Sequence, residues 1–316
     1  MAVDVIVGLQ RGDEGKGGLV DMLAVDYDAG ARYGGGPNAG HTTVSPGGKV
    51  LKLHTIPSCV TYPEKKCVIG DGVFVDAVKL WAEIEYLHGE GVEVSPNNLM
   101  ISSSAHLILP HHILGDIQRE SGTNRQGSTK SGIAQVDSDF GLRKGPRAEI
   151  INNNPDQLYK QVYEGLVEHS SLWTKVKDRL CLGNSNEKNV AKQYVEKALL
   201  LGAFVTDTML FLNNALNRGQ NILAEGAQAF LLDKYQGMWP YTTSSITTSG
   251  GVSPGLGVPP QSIRRVIGVA KAIHSHVGDG HFVTEIHEPE LLSRLHGNMD
   301  ALDAERGTTT NRVRRL

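Results

Sequence analysis

The chain opens with a short apolar run that passes into a glycine-rich segment and then into helical spacing. Residues 3–10 are mostly apolar, residues 12–17 read Gly-Asp-Glu-Gly-Lys-Gly, and apolar side chains follow at Leu19, Val20 and Leu23. A short apolar run predicts a buried strand, and the later spacing predicts a helix. The pattern therefore indicates a strand, a phosphate-type loop and a helix in succession.

Further strands and a helix continue this alternation. Buried strands are predicted at residues 67–69, 99–102 and 106–109, and an amphipathic helix is predicted over residues 77–87. Alternating strands and helices favour a largely parallel sheet with helices on both faces. The predicted fold class is α/β, with a large, mostly parallel central sheet flanked by helices and the phosphate loop after its first strand.

The middle of the chain has a different texture. Gly, Ser, Thr, Asn, Lys and Arg dominate much of residues 111–150, which are predicted to form a long substrate loop. Helical spacing over residues 154–219 predicts a helical insertion. The sheet pattern resumes at residues 221–223, whereas residues 266–272 fit either a strand or a short buried helix. Since no linker divides the chain, residues 1–316 are expected to form a single α/β domain.

Composition excludes several classes of protein. Charged residues make up 21% of the 316 residues and the formal net charge is -3, which leaves no basic field for general nucleic-acid binding. Cys59, Cys67 and Cys181 are too few and too scattered for a disulfide framework or a zinc site, and we expect packing residues in a reducing compartment. No signal peptide and no membrane-length apolar run occur. We therefore expect a cytoplasmic protein with no membrane and no nucleic-acid partner.

The glycine-rich segment after the first strand carries the strongest chemical signal. Glycines there let backbone N–H groups close on phosphate oxygens at the start of a helix. The segment is not a Walker A motif, because its spacing differs and Gly17 replaces the hydroxyl residue. Asp13 and Glu14 would repel phosphate unless a divalent cation lies between them or one carboxylate has a chemical task. The alternative is a glycine turn with a solvated acidic pair.

A second glycine-rich segment follows at residues 34–43. It reads Gly-Gly-Gly-Pro-Asn-Ala-Gly-His-Thr-Thr and combines a close-approach backbone with the amide of Asn38 and the imidazole of His41. A histidine in this setting can donate to a phosphate oxygen or shuttle a proton. The alternative is an ordinary hairpin with a surface histidine.

The two segments together, at this separation, resemble the adenylosuccinate synthetase family, and the resemblance continues in order along the chain. Five later motifs carry it: Gly-Ser-Thr at residues 127–129, Gly-Leu-Arg at 141–143, Glu-Gly-Ala-Gln at 225–228, Pro-Tyr-Thr-Thr-Ser-Ser at 240–245 and Gly-Thr-Thr-Thr-Asn-Arg-Val-Arg at 307–314. One such motif is a weak signal, whereas several in order are a strong one.

The resemblance implies a ligase of purine biosynthesis. A nucleoside triphosphate phosphorylates the 6-oxygen of IMP, and L-aspartate then displaces that phosphate to give adenylosuccinate. The family uses Mg²⁺, takes GTP as donor and acts as a homodimer. By resemblance, Asp13 accepts the proton from the ring nitrogen, His41 and Lys16 stabilise charge on the transferred phosphate, and Asp13 and the Gly40 carbonyl hold the metal.

The resemblance also implies three groups of binding residues. The acceptor nucleotide is assigned to Asn38, Thr129, Arg143, Gln228 and Thr243, with Arg143 supplied by the second subunit. The donor phosphates are assigned to Gly12, Glu14, Gly15, Lys16, Gly17, Gly40, His41 and Thr42. L-aspartate is assigned to Thr308, Thr309, Thr310, Arg312 and Arg314, whose hydroxyl and guanidinium groups suit carboxylates.

Departures from the family pattern leave alternatives open. Arg11 replaces a family tryptophan, and some segments are similar to short viral relatives that convert dGMP to the 2-amino product, in which case the host cytoplasm is the expected location. Retention of Asp13, where those relatives have serine, favours IMP. The Thr-Lys-x-Asp element that recognises guanine does not occur in this sequence. Either the sequence is a fragment without the C-terminal family segment, or ATP or dATP also serves as donor.

Two further alternatives concern function and metal binding. A non-catalytic nucleotide-binding switch would need the phosphate loop, but it would not need the proposed base or the aspartate segment. The pairs His111 with His112 and His274 with His276 resemble metal ligands only superficially, because no carboxylate lies at helical spacing from them. We expect these histidines to be surface or core residues.

Overall fold

The computed structural model describes residues 2–45, 47–123, 125–171, 186–296, 306 and 312–316. In chain order the strands are β1 (Ala2–Gly8), β2 (Ala29–Arg32), β3 (His41–Val44), β4 (Val50–Leu53), β5 (Lys66–Ile69), β6 (Leu99–Ser102), β7 (Val205–Thr206), β8 (Asn221–Glu225) and β9 (Ile263–Val269). Within these described ranges, β3 and β4 form an antiparallel hairpin and the other seven strands form one sheet in the order β7-β6-β5-β2-β8-β1-β9. Every strand pair of that sheet is parallel.

Helices connect the strands of this sheet. They are α1 (Lys16–Ala24), α2 (Ala77–Gly89), α3 (Pro110–Glu120), α4 (Ile133–Gly141), α5 (Ile150–Asn153), α6 (Pro155–Glu168), α7 (Glu187–Leu200), α8 (Thr208–Asn217), α9 (Val252–Leu256) and α10 (Pro289–His296). A 3-10 helix also spans Ser58–Thr61. Parallel strands need crossover connections of this kind, so the predicted α/β class is confirmed.

The first strand shows why the sheet is buried on both faces. Alternate residues Val3 and Val5 pack with Leu212 of α8, whereas Ile6 packs with Val20 of α1 on the opposite face. Side chains of a strand alternate between the faces, so a central parallel strand must be apolar throughout. Every residue of β1 is accordingly buried. A larger core lies where α2, α6 and α7 pack together beside the sheet.

Several sequence predictions are corrected by the structure. Residues 106–109 form no strand and only isolated bridges, because the chain turns there into α3. Residues 111–150 are not one long loop, since α3 and α4 lie within them and bury Leu114, Ile117, Ile133 and Val136. The helices predicted over residues 154–219 are accompanied by β7, which joins the sheet next to β6.

The structure also resolves the strand-or-helix alternative and shows where two of the three cysteines lie. The segment that fitted either a strand or a helix is β9, which pairs in parallel with β1. Cys59 and Cys67 are buried, unbridged packing residues, and Cys181 lies outside the described residues. Within the described part of the chain, no helix has both the length and the apolar character required to cross a membrane.

Candidate active site

One cavity of about 620 Å³ gathers most of the predicted site residues. It lies where the loops after β1, β2 and β8 meet, which is the carboxyl edge of the parallel sheet and the usual ligand position in such folds. The predicted residues that line it are Gly12, Asp13, Gly15, Lys16, Gly17, Asn38, Gly40, His41, Thr42, Thr129, Gln228, Thr243, Arg312 and Arg314.

The backbone of the first loop is left-handed at three positions. Gly12 and Gly15 have φ values of 91° and 89°, which glycine adopts without strain. Asp13 lies between them at φ 59°. Left-handed backbone costs most side chains about 1–2 kcal/mol, and aspartate is among the few residues that tolerate it. The loop thus holds Asp13 in a specific conformation on the wall of the cavity.

Glu14 supports this loop from inside and does not line the cavity. Its carboxylate accepts hydrogen bonds from the backbone N–H groups of Gln10 at 3.2 Å and Gly12 at 2.8 Å. Lys16 Nζ donates to the same carboxylate at 2.6 Å, and both side chains are buried. The Glu14 side chain therefore satisfies orphan backbone donors and orients Lys16. Glu14 was predicted to bind the donor phosphates; its carboxylate lies behind the loop, and its part in phosphate binding stays a prediction.

The glycine at the end of the loop is explained by close packing. A β-carbon on Gly17 would lie 2.7 Å from the β-carbon of His41 and 3.2 Å from Oγ of Ser58. Only a residue without a side chain lets β3 approach the start of α1 this closely. The position that a Walker A loop gives to a hydroxyl residue must therefore be glycine here.

His41 begins the β3–β4 hairpin, but it is buried rather than exposed. Its Nδ1–H donates to the carboxylate of Glu225 at the end of β8. Ser58 donates to the same carboxylate through its backbone N at 2.8 Å and its Oγ at 2.7 Å. The parallel register also places Arg32 of β2 beside Glu225. These contacts fix the imidazole ring and leave its Nε2 for a ligand in the cavity.

The partner of His41 was not among the predicted site residues. Burial opposes ionisation of Glu225, but the charge and hydrogen bond of His41, and then the charge of Arg32, outweigh it and lower the pKa to about 2. Glu225 is therefore a carboxylate at neutral pH. Its sequence signal was its place as the first residue of the Glu-Gly-Ala-Gln motif at the end of a strand, but that motif did not indicate a contact with His41.

Gln228 presents an unsatisfied amide to the cavity. It follows β8 with φ 53°, and neither its Oε1 nor its Nε2 has a hydrogen-bond partner among the described residues, although both atoms are buried. The buried Oδ1 of Asn38 is in the same condition. Each unsatisfied buried group costs about 1–3 kcal/mol. A ligand that offers a donor and an acceptor side by side, as a purine edge does, would satisfy the Gln228 amide.

Helix α3 shapes the loop that carries Thr129. Its Asp116 accepts from Ser128 Oγ at 2.8 Å, and its Glu120 accepts from the backbone N–H of Gly127 at 2.9 Å. These two carboxylates hold the loop against the helix. Thr129 is thereby fixed on the cavity wall.

Two arginines near the end of the described chain reach the cavity. Arg314 contacts Oδ2 of Asp13 through its Nε at 3.0 Å. Arg312 donates to the carbonyl oxygen of Gly127 at 2.8 Å. The segment thus connects the phosphate loop with the Thr129 loop. The predicted Thr308, Thr309 and Thr310 lie outside the described residues.

Arg143 does not line this cavity. It lies after α4 on a second cleft of about 590 Å³, together with His106, Phe140, Lys144 and Arg147. Its backbone is left-handed at φ 59° and its side chain is exposed. Within one subunit, Arg143 is therefore separate from the site to which it was assigned.

The histidine pair at the start of α3 is explained by capping rather than by metal binding. Nδ1 of His112 accepts from the backbone N–H of Leu109 at 2.9 Å, so Nε2 carries the proton and donates to Asp139 at 3.1 Å. A neutral imidazole with both nitrogens engaged in this way has no lone pair for a metal. Burial lowers the pKa of the adjacent His111 to about 3. The expectation of core histidines agrees with this geometry.

The two histidines at residues 274 and 276 differ in their position relative to the cavity. His276 is buried and lines the cavity, a placement that the sequence did not predict. Its Nε2–H donates to the carbonyl oxygen of Asp279 at 3.1 Å, and burial lowers its pKa to about 4. His276 is therefore neutral at physiological pH and braces the neighbouring loop.

Comparison with known proteins identifies close relatives. A family model described as adenylosuccinate synthetase matches residues 5–316. The adenylosuccinate synthetase of Bacillus cytotoxicus is 43% identical over 320 residues, which cover 100% of this chain and 71% of that protein. The enzyme of Geobacillus kaustophilus is 42% identical and is covered to 72%.

Solved structures agree with these relatives. The fully ligated adenylosuccinate synthetase of Plasmodium falciparum superposes with a TM-score of 0.84 at 33% identity, covering 100% of this chain and 71% of that one. A cyanophage S-2L succinoaminodeoxyadenylate synthetase bound to dGMP and dATP has a TM-score of 0.64 at 22% identity, with coverage of 99% and 77%. At that identity the second likeness concerns the fold alone.

Proposed function

The chain belongs to the adenylosuccinate synthetase family, the carbon–nitrogen ligases that join IMP and L-aspartate in purine biosynthesis, and on that premise we propose how its cavity performs the two steps. The first step transfers the γ-phosphoryl group of a nucleoside triphosphate to the 6-oxygen of IMP. In the second step the amino group of L-aspartate displaces that phosphate. One observation carries the assignment: Asp13, His41 and Gln228 line the same cavity as Arg314.

Asp13 is the proposed base of the first step. Its strained backbone and its contact with Arg314 hold the carboxylate in one position on the cavity wall. Removal of the proton from the ring nitrogen of IMP places negative charge on the 6-oxygen, which then attacks phosphorus. A fixed carboxylate suits this transfer because its orientation is set before the substrate arrives.

His41 and Lys16 act on the donor phosphates in this proposal. Glu225 orients the imidazole through Nδ1 and, by its charge, opposes the burial that lowers the pKa of His41. In its protonated form the ring then donates Nε2–H to the bridging oxygen on which charge develops. Lys16 is held beside the same loop by Glu14 and supplies positive charge. The backbone N–H groups of the glycine-rich loop complete the phosphate site.

The residues assigned to Mg²⁺ fit that ion. Asp13 and Gly40 both line the cavity, and carboxylate and carbonyl oxygens are the hard donors that Mg²⁺ prefers. Two protein ligands suit an ion that normally keeps phosphate and water oxygens as well. When bound, Mg²⁺ would neutralise charge on the donor phosphates.

The acceptor and L-aspartate are bound by different side chains of the cavity in this proposal. The unsatisfied amide of Gln228 reads the purine edge, and Thr129 and Thr243 bind the monophosphate. Arg312 and Arg314 bind the carboxylates of L-aspartate, for which guanidinium groups give charge-assisted hydrogen bonds. Thr308, Thr309 and Thr310 remain predicted members of this site.

Two finer assignments complete the proposal. GTP is the proposed donor, as the family uses it, with ATP and dATP as alternatives. The exposed Arg143 completes the acceptor site of a second subunit in a homodimer. The separation of Arg143 from the cavity of its own subunit supports this arrangement.

A substrate panel tests the proposal. Phosphate release is measured with Mg²⁺ and L-aspartate while IMP, GMP and dGMP are crossed with GTP, ATP and dATP, and products are identified by mass. Aspartate-dependent release with IMP and formation of adenylosuccinate are expected. Release with dGMP alone would assign the chain to the viral type of reaction, and nucleotide hydrolysis without aspartate or acceptor would favour a switch.

A further inference from the structure

An ion pair on the cavity wall connects two of the segments that line the cavity. Nζ of Lys234 lies 2.9 Å and 2.8 Å from the two carboxylate oxygens of Asp137. Both residues line the cavity, and their side chains are 37% and 20% exposed. Asp137 belongs to α4, which follows the Thr129 loop, whereas Lys234 precedes Thr243. The pair therefore spans the two walls that carry the proposed phosphate-binding threonines.

Hydrogen bonds define the position of the turn that bears Lys234. The adjacent Asp233 accepts backbone hydrogen bonds from Tyr235 at 2.8 Å and Thr247 at 2.6 Å. The backbone N–H of Lys234 donates to the carbonyl oxygen of Ser245 at 3.1 Å. These bonds place the start of the lysine side chain beside the segment that contains Thr243. Its position in the cavity is thus set by the fold rather than by Asp137 alone.

Apart from Arg143, which is proposed to come from the second subunit, the residues assigned to the acceptor phosphate carry no charge. Two threonine hydroxyls donate hydrogen bonds but carry no charge to balance a phosphate dianion. Arg143 of the same subunit lies on a different cleft, and Lys16 is paired with Glu14 in the phosphate loop. Lys234 has a charge, a fixed base and a position between the two threonine walls.

We propose that Lys234 binds the 5′-phosphate of the acceptor nucleotide, exchanging Asp137 for a phosphate oxygen when the acceptor enters. This inference rests on the proposed function, because that function places the acceptor phosphate between Thr129 and Thr243. A partly exposed ion pair contributes little to stability, so the exchange costs little. A phosphate dianion offers more charge and more acceptor oxygens than one carboxylate, and it therefore competes well for the ammonium group.

The opposite effects of two substitutions distinguish this role from that of a structural latch, meaning an ion pair that only holds the two cavity walls together. Lys234→Met removes the charge but keeps the length of the side chain, and it should weaken IMP binding by about tenfold to a hundredfold, the usual loss for a charge-assisted hydrogen bond. Asp137→Asn removes the competing carboxylate and should tighten IMP binding. Lys234→Arg should restore most of the affinity. The dissociation constants are measured by calorimetry without donor or aspartate.

Donor binding and folding supply the controls. The affinity for GTP and the thermal midpoint should stay close to native in all three variants. Equal weakening of IMP binding by Lys234→Met and Asp137→Asn would overturn the proposal in favour of a latch, and an unchanged affinity in Lys234→Met would overturn it outright. If Lys234→Met does not fold, Lys234→Gln takes its place. Turnover of IMP by the native protein tests the proposed function separately from these variant-to-native ratios.

Discussion

The carboxylate of Asp13 lies 3.0 Å from Nε of Arg314, although 301 positions separate the two residues in the chain. The contact joins the phosphate loop, where the first step is proposed to begin, to the segment proposed to bind L-aspartate. One guanidinium group thus contacts the proposed base and is itself proposed to bind the second substrate. In the proposed function, the 6-position of the acceptor lies between Asp13 and L-aspartate, which is where both steps must occur.

Asp13→Ala should abolish turnover while nucleotide binding remains measurable. Loss of the carboxylate removes the proton acceptor, whereas the glycine-rich backbone that binds phosphate persists. Phosphate release with IMP, GTP and L-aspartate, together with GTP binding by calorimetry, measures the two effects. Asp26→Ala changes an exposed aspartate just beyond α1 and should remain active. Turnover by Asp13→Ala within about threefold of native would remove Asp13 from the base role.

Arg312→Leu should weaken L-aspartate far more than the nucleotides. A charge-assisted hydrogen bond to a carboxylate contributes about 1.5–3 kcal/mol, so the KM for L-aspartate should rise by about tenfold or more. The KM values for IMP and GTP should change by less than about threefold. Steady-state kinetics give all three values, with Arg218→Leu as a control at an exposed arginine. A parallel rise in all three KM values would mean that Arg312 does not select L-aspartate.

Glu225→Gln should lower kcat with little change in substrate KM. The substitution keeps the size of the side chain but removes the charge that supports His41 as an acid on the donor phosphates. A loss of about 10²-fold in kcat is expected from general acid catalysis. Glu93→Gln, at an exposed position, controls for the change of residue type. Native turnover in Glu225→Gln would contradict a catalytic role for the pair.

Acid should remove the stability that Asp4 contributes to the β1–β9 pair. The Asp4 side chain accepts from Tyr27 and from Arg264 and Arg265 of β9. Burial raises its pKa, but the Arg264, Tyr27 and Arg265 hydrogen bonds outweigh burial and lower the pKa below its usual value. A lowered native pKa stabilises the fold above the unfolded pKa of about 3.9, and this stability is lost as pH falls through the native pKa.

Asp4→Asn provides the comparison that isolates this effect. The native protein should have a larger free energy of unfolding than Asp4→Asn at about pH 7, and the difference should shrink below about pH 4. Urea unfolding at several pH values measures it. A difference that stays constant from about pH 7 to about pH 3 would mean that the charge of Asp4 does not stabilise the fold.

Mixing two inactive variants should restore activity if Arg143 serves the other subunit. Asp13→Ala and Arg143→Leu each inactivate both sites of a homodimer, but a mixed dimer has one site with native copies of both residues. Random exchange of subunits makes half of the dimers mixed, so about a quarter of native activity is expected. Light scattering checks that dimers form. No recovery despite subunit exchange would place Arg143 in the site of its own subunit, and native activity of Arg143→Leu alone would place it outside the chemistry.

Local patterns in the sequence predicted the parts of the fold that local forces determine. The run from β1 through the glycine-rich loop to α1 is one such part, because strand hydrophobicity, turn glycines and helical spacing are all readable within the segment. β7 could not be predicted from a local pattern, since its two residues show no periodicity and join the sheet only by pairing with β6. Helix α4 was not predicted, because glycine and polar residues surround its two buried positions, Ile133 and Val136.

The candidate site shows the same contrast between residues that local motifs predict and residues that only the tertiary fold brings together. Asp13 and His41 were found from motifs, whereas the partner of His41 lies 184 positions away and is brought to it by the pairing of β2 with β8. The pairing of Lys234 with Asp137 likewise depends on the contact between helix α4 and the turn that bears Lys234. Sequence motifs predicted residues of the proposed site, whereas the side chains that orient them are brought into contact by the tertiary fold.

The most direct measurement of the central claim follows the 6-oxygen of the acceptor. IMP labelled with heavy oxygen at that position is turned over with unlabelled GTP and L-aspartate in unlabelled water, and the released phosphate is analysed by mass. We predict that each phosphate released carries the labelled oxygen, because it leaves together with the 6-oxygen that attacked phosphorus. Phosphate that carries no label would show that water attacks the triphosphate and would contradict a ligase mechanism at this site.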